Sequence, residues 1–363
     1  MSTRPRSLSL SLAATLGLGL VSTAHAQDAA PPAAPPAAPK LSVKFPELKL
    51  SALTFFSYRY VLTGEDPVKK LNEFSVDRAY VNIEPVIDET WAARITPDLN
   101  KPDATGKNYV LRLKFAYIDG KKIGGTGVSV RAGMLGTPFT DALDKAWGFR
   151  VLVKSPLDAF GVATTADLGG SVGYSWGSGE ARLFITNGEG YEYIETSLGK
   201  DVTLHITQEL TTGLNLSLGA LYGGWIGGAS KFWNPTGPGT LAHYDNRIVA
   251  PLLLTWDQGG LKAGVEAAFI RRTPEGGDAL TGLSATAYVV AKIGDKMEIP
   301  VRFMRFDPNT DSKTGKDDEI IHAVAGYSYN FAGQLKVVPN LQAEKKGKDK
   351  PTISGFVHLE GKL

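Results

Sequence analysis

From about residue 50 onward, apolar and polar side chains alternate with a period of two. Tyr109, Leu111, Leu113, Phe115 and Tyr117 alternate with Val110, Arg112, Lys114, Ala116 and Ile118. Val128, Val130, Ala132 and Met134 alternate with Ser129, Arg131 and Gly133. Leu283, Ala285, Ala287, Val289, Ala291 and Ile293 lie on the face opposite Ser284, Thr286, Tyr288 and Lys292. Alternation over about ten residues, with aromatics towards the ends, is the strand length and girdle pattern of a membrane β-barrel. The pattern predicts about sixteen strands, near 50–61, 74–85, 90–97, 108–118, 127–135, 167–175, 180–186, 200–209, 213–223, 246–256, 260–271, 281–293, 297–305, 319–330, 335–344 and 352–363.

The connections sort by parity. Asp88-Glu89, Trp176–Gly179, Leu210–Thr212, Asp257–Gly259, Gly294–Lys296 and Phe331–Gln334 are short. Segments 62–73, 98–107, 136–166, 187–199, 224–245, 272–280, 306–318 and 345–351 are long. A soluble sandwich has no reason to alternate in this way. Outer-membrane barrels do, with short periplasmic turns and long outer loops. The expected fold is therefore all-β: a transmembrane antiparallel barrel over 49–363, wide enough at about sixteen strands for an aqueous lumen.

The first residues read as a leader. Arg4 and Arg6 precede an apolar stretch, Leu8 to Val21, and Ala24-His25-Ala26 has the small-x-small cleavage pattern, so 1–26 is expected to be a signal peptide. Residues 27–48 begin with an Ala/Pro-rich run that favours an extended periplasmic linker. The densest later apolar run, Ala250 to Trp256, is far too short for a spanning helix. Loss of the leader would remove two arginines and no acids, taking the formal charge of +2 to zero. That leaves no net basic balance to suggest nucleic acid. An exported chain with no cysteine has no disulfide framework either. With 41 Gly, 13 Tyr and 15 Phe the composition still suits a barrel, which shows lipid only every second residue.

Charge changes the picture on one face. Arg78, Arg94, Arg112 and Arg131 occupy four consecutive strands at the inward parity; Lys114 shares it, and Arg59 extends the row on the first strand. An Arg facing lipid near the midplane costs roughly 2–4 kcal/mol, so these charges are expected to point inward. An anion about 5 Å from one such cation gains roughly 1 kcal/mol in bulk-like water and about 3 at an effective dielectric near 20. Glu84, Asp98, Glu266, Glu298, Glu344 and Glu360 are inward by the same parity.

The loop 136–166 is too long to be idle and carries the apolar residues Phe149, Val151 and Val153. It is expected to fold into the lumen as a constriction. Its bases are Lys145, Arg150 and Lys154, and its acids Asp141, Asp144 and Asp158 are placed to pair with the arginine wall. His205, His322 and His358 read as lumen lining, and Asp317-Asp318-Glu319 as a solvated loop tip. Neither a Cys/His cluster nor a glycine-rich phosphate loop is present to imply a metal or cofactor, and no catalytic pairing stands out.

Phe74-Ser75-Val76-Asp77-Arg78-Ala79-Tyr80-Val81-Asn82, Phe115-Ala116-Tyr117-Ile118-Asp119 and Val130-Arg131-Ala132-Gly133-Met134-Leu135-Gly136-Thr137-Pro138-Phe139 resemble the phosphate-selective porins (porins O and P). Asp167-Leu168-Gly169 and Thr186-Asn187-Gly188-Glu189-Gly190 fit the same family. The resemblance implies a homotrimeric, sixteen-stranded outer-membrane porin, surrounded by lipid and lipopolysaccharide, whose inward arginines conduct phosphate or other small anions. The competing expectation is a structural or adhesive barrel with a closed lumen.

Overall fold

The computed structural model describes residues 47–64, 70–100, 109–224, 230–233, 241–310 and 318–363. The expected leader, most of the expected linker, and Asp317 lie outside them. Eighteen strand segments form one antiparallel sheet. They are β1 (Glu47–Thr63), β2 (Asn72–Val86), β3 (Trp91–Asn100), β4 (Val110–Gly120), β5 (Val128–Gly136), β6 (Ala166–Trp176), β7 (Gly179–Thr186), β8 (Asp201–Thr211) and β9 (Leu214–Gly223). After these come β10 (Ser230–Trp233), β11 (Leu241–Gln258), β12 (Leu261–Pro274), β13 (Leu280–Ile293), β14 (Met297–Asp307), β15 (Ile320–Gly326), β16 (Ser328–Asn330), β17 (Leu335–Lys346) and β18 (Thr352–Lys362).

The sheet closes where β1 pairs with β18, in the register Phe55↔Glu360 and Ser57↔His358. Among the described residues β10 is paired with the extended end of β11, beyond the stretch where β11 meets β9. β15 and β16 are two pieces of one wall strand, broken at Tyr327. The strands on either side carry Pro300 and Pro339 near the break, and proline has no N–H to give a ladder. The wall therefore has sixteen strands, as the alternation predicts.

Connections also alternate as expected. The short side is closed by tight devices: the Asp88 carboxylate accepts the N–H groups of Thr90 and Trp91 at 2.8 and 2.7 Å. Gly259 and Gly260 both take positive φ, 65° and 82°, as a two-residue hairpin turn needs. Several strands are longer than the periodicity indicates. β1 starts at Glu47, inside the expected linker, and β11 starts at Leu241 rather than 246. β12 reaches Pro274, so the connection expected at 272–280 contracts to 275–279.

Sidedness follows the pleat. Along β13, Gly282, Ser284, Thr286, Tyr288 and Val290 are buried inside, while Leu283, Ala285, Ala287 and Val289 are exposed outside. The outer surface thus carries Leu283, Val289, Phe303 and Leu341, with Trp91, Trp176, Trp256 and Tyr327 towards strand ends. An exposed apolar band with terminal aromatics is the surface a barrel offers to lipid. Among the described residues no helix is long and apolar enough to cross a membrane.

One inward assignment is overturned. Between β3 and β4 the register shifts, with Thr96 opposite Phe115 and Pro97 opposite Leu113, so Lys114 is an extra residue on β4. Pro97 cannot donate to the ladder, and a bulge forms beside it. Beyond the bulge every side chain changes face. Phe115 and Tyr117 point inward with Asp119, and Ile118 is exposed outside.

Candidate pore-lining site

The segment between β5 and β6 enters the barrel. It begins with α1 (Pro138–Trp147), whose start is set by Thr137 ahead of Pro138 and whose end is set by Gly148 at φ 73°. A single turn, α2 (Pro156–Ala159), follows. These helices present Phe139, Leu143, Trp147, Leu157 and Phe160 to apolar residues of the inner wall. One group of contacts includes Leu221, Val249, Ile270, Met304 and Phe306. The other includes Phe55, Leu253, Tyr288, Val290, Val324 and Val338. Phe160 stacks on Phe306 with ring centres 4.8 Å apart, and Trp147 meets Tyr288 edge-on at 5.3 Å. Each fully buried side chain of this size is worth about 1.5–3 kcal/mol. The loop is therefore fastened to β9, β11–β15, β17 and β1, one half of the wall.

The other half, β2–β8, carries the arginine row. Arg78 lies 3.4 Å from Asp98, and Arg94 lies 3.3 Å from Glu84. Arg112 meets Glu192 at 2.8 Å, and Arg131 meets Asp119 at 3.2 Å. The guanidinium of Arg94 sits 4.5 Å from the centre of the Phe115 ring, and that of Arg131 4.5 Å from Tyr117. Only the bulge at Lys114 brings those rings to the lumen side. Lys114 has no carboxylate within ion-pair distance among the described residues. It donates to the Tyr80 hydroxyl at 2.9 Å and faces the Tyr80, Phe115 and Tyr191 rings. Arg59 is inward on β1, donating to Ser354 at 3.3 Å.

The loop's own charges turn mainly on one another. Arg150 pairs with Asp144 at 2.5 Å and Asp158 at 3.3 Å, and donates to Tyr80 at 3.1 Å. Lys154 pairs with Asp158 at 3.4 Å. Burial pushes the Asp144 carboxyl up, with Asp158 adding to it, against the pull of Arg150. Burial alone would also raise Asp158, but Lys154, Arg150, Lys114 and Arg78 together hold it below the usual carboxylate range. Asp144 and Asp158 thus serve Arg150 and Lys154 rather than the wall arginines. Asp141 and the exposed Lys145 make no ion pair among the described residues.

Three residues of this arrangement were not visible in the alternation. Asp119 is turned inward by the bulge, and Glu192 belongs to the 187–200 connection, which also folds in and brings the Tyr191 hydroxyl within 3.4 Å of Asp98. Arg182 on β7 pairs with Glu180 at 2.9 Å and donates to Ser129 at 2.6 Å. Of the six inward acids read from parity, Glu298 pairs with Lys336 at 3.3 Å and Glu360 with Lys362 at 2.7 Å. Glu266 is buried on β12, within electrostatic reach of Arg302 and Asp144. His205, His322 and His358 are all inward, partnered by Ser217, Gln342 and Asn340.

No family model matches the sequence, and no curated protein does. Solved structures match in shape. An anion-selective porin from Comamonas acidovorans superimposes with a TM-score of 0.62 at 12% identity, over 87% of this chain and 99% of that one. A high-pH structure of Pseudomonas putida OprB gives 0.64 at 12% identity, over 87% and 94%. The trimer form of OmpT, an outer membrane protein of Vibrio cholerae, gives 0.62 at 12% identity, over 87% and 99%. At such identity the likeness is one of fold: the closed sixteen-stranded barrel of outer-membrane porins.

Proposed function

We propose that this chain is an outer-membrane porin: a passive channel for small hydrophilic solutes, with a preference for anions. The carrying observation is the division of the inner wall. A long loop fills one half by apolar packing, and the charges of the other half are left to line whatever passage remains. Transport then follows from width and charge, with the loop 136–166 as constriction and no bond-making step.

Anion preference rests on Arg59 and Lys145, which make no ion pair among the described residues, more than on the arginine row, whose members all have carboxylate partners. The anion-selective porin among the structural neighbours supports that reading. The motifs around Arg78 and Arg131 support phosphate as one solute. A homotrimer is supported by the trimer form of one neighbour. A closed-lumen, structural barrel draws support from a different fact: Arg78 and Lys114 are only 6% and 3% exposed.

Planar bilayers separate the two. Purified protein should conduct, and a salt gradient of chloride or phosphate should give a reversal potential on the anion side. Arg112→Gln with Arg131→Gln should shift it towards cations by unmasking Glu192 and Asp119. An absence of conductance would transfer the case to the closed barrel, and an unmoved reversal potential would make the arginine row electrically silent.

A further inference from the structure

The bases of the wall differ in one respect that decides where an anion can stop. Arg78, Arg94, Arg112 and Arg131 each spend their charge on a carboxylate. Arg59 does not. Among the described residues its polar contact is the Ser354 hydroxyl, and its guanidinium lies 5.7 Å from the centre of the Phe356 ring. It lines a cavity of about 260 Å³ at the long-connection end of β1, β15, β17 and β18, together with His322, Gln342, Ser354 and Phe356.

The cavity wall specifies what fits. Gln342 donates from Nε2 to the Leu152 carbonyl of the lumen loop at 3.2 Å and to Asn340 at 3.0 Å. Its Oε1 therefore faces His322 as an acceptor, 3.2 Å from Nε2 of that ring. Gln342 lines the cavity, and among the described residues its Oε1 meets only this one donor, so its second lone pair stays open to a hydroxyl. The site thus offers a forked cation and an unmet acceptor: it calls for a carboxylate and a hydroxyl on one molecule. Charge narrows this further. The lining holds Arg59, Lys346 and Lys350 against Glu344 and Asp349, one excess positive charge, which suits a monoanion over a phosphate dianion. A volume below the roughly 300–1,000 Å³ of drug-sized pockets sets the size.

We propose that this cavity is a binding subsite for small monoanionic hydroxy-carboxylates, of sugar-acid type, with Arg59 as the carboxylate anchor. The inference deepens the pore reading and rests on it for the place of the site along a solute path. It moves the first stop of an anion from the arginine row on β2–β5 to the neighbouring strands β15, β17, β18 and β1, beside the lumen loop.

The test uses the full barrel, in detergent and in bilayers, with gluconate as probe. Gluconate should bind in calorimetric titration and block chloride current, with acetate, glucose and inorganic phosphate each at least tenfold weaker. Arg59→Gln should weaken gluconate tenfold or more, and Arg59→Lys should weaken it by less, keeping charge but losing the fork. In calorimetry Arg131→Gln should leave gluconate affinity within about twofold of the parent protein, although it moves the reversal potential. Equal loss in Arg59→Gln and Arg131→Gln, or none in Arg59→Gln, overturns the site, as does phosphate or acetate matching gluconate. A barrel that binds gluconate through Arg59 but passes no chloride overturns the pore and leaves the subsite standing.

Discussion

The two halves of the inner wall solve opposite problems. On β11–β17, beside the buried charges Glu266, Arg272 and Arg302, the inward positions include Val249, Ile270, Met304, Phe306, Val324 and Val338, side chains that an open aqueous lumen would leave wet. They are stable there because the lumen loop covers them. On β2–β8 the inward positions are charged, and their acids arrive from the next strand or from the 187–200 connection. One half is glued by apolar area, which ignores pH and salt; the other is wired by ion pairs, which do not. The comparison teaches that the loop is held chiefly by apolar packing on the half away from the arginine row.

The largest expected effect therefore lies in the apolar half. Trp147 is fully buried, packed on Phe149 and Tyr288, with the Arg302 guanidinium 5.4 Å from its ring centre. Trp147→Ala should cost about 3–5 kcal/mol of loop docking. Single-channel conductance should rise and become noisier as the loop leaves the wall, while the barrel itself stays folded by its heat-modifiable gel shift. An unchanged conductance would mean that the loop does not narrow the passage.

A smaller effect tests the wired half. Arg131 and Asp119 face each other at 3.2 Å, so their substitutions should act with opposite signs. Arg131→Gln should move the reversal potential towards cations and Asp119→Asn towards anions. Each should change the permeability ratio by about fourfold or more, from roughly 0.8 kcal/mol for one charge at 5 Å in bulk-like water. The double variant should return to the parent value. Shifts of the same sign in both single variants would break the idea that the pair is electrically balanced.

How much of this was legible depends on the strand. In β13 a clean alternation of Leu, Ala and Val with Ser, Thr and Tyr fixes the faces without help. In β14, Val301-Arg302-Phe303-Met304-Arg305-Phe306 is apolar on both faces, so periodicity alone cannot tell that Met304 and Phe306 are the inner ones awaiting a loop. In β4 the alternation is clear but misleading past Lys114, and the warning was Pro97 on the neighbouring strand, an effect of pairing rather than of the β4 sequence. The helix α1 had local signals, Thr137-Pro138 at its start and Gly148 at its end, that the reading of 136–166 as a lumen constriction did not use. The acid partners were the least legible. Glu192 sits in a connection without periodicity, and only the folded chain brings it to Arg112.

The smallest expected effect concerns how the second inward connection is held, and it sharpens the contrast between the halves. Glu189 in this connection accepts a hydrogen bond from Ser197 at 2.7 Å, beside Glu195, and its other oxygen is buried without a partner. Burial, reinforced by Glu195, pushes its carboxyl up to about 7 from an ordinary 4.5. The sign follows from proton counting: between pH 4.5 and 7 the packed connection keeps a proton that the opened one releases, so packing weakens as pH rises through this window. From pH 6 to pH 8 local opening should become about tenfold more favourable by that linkage. Hydrogen exchange over residues 189–198, corrected for intrinsic rates, should report it, and Glu189→Gln should flatten the dependence. The segment 139–152 gives the internal control, since apolar docking dominates there and should leave its protection nearly level over the same range. Parallel loss of protection in both segments would show that the two halves of the wall do not hold their loops independently, and that the division between glued and wired sides is only geometric.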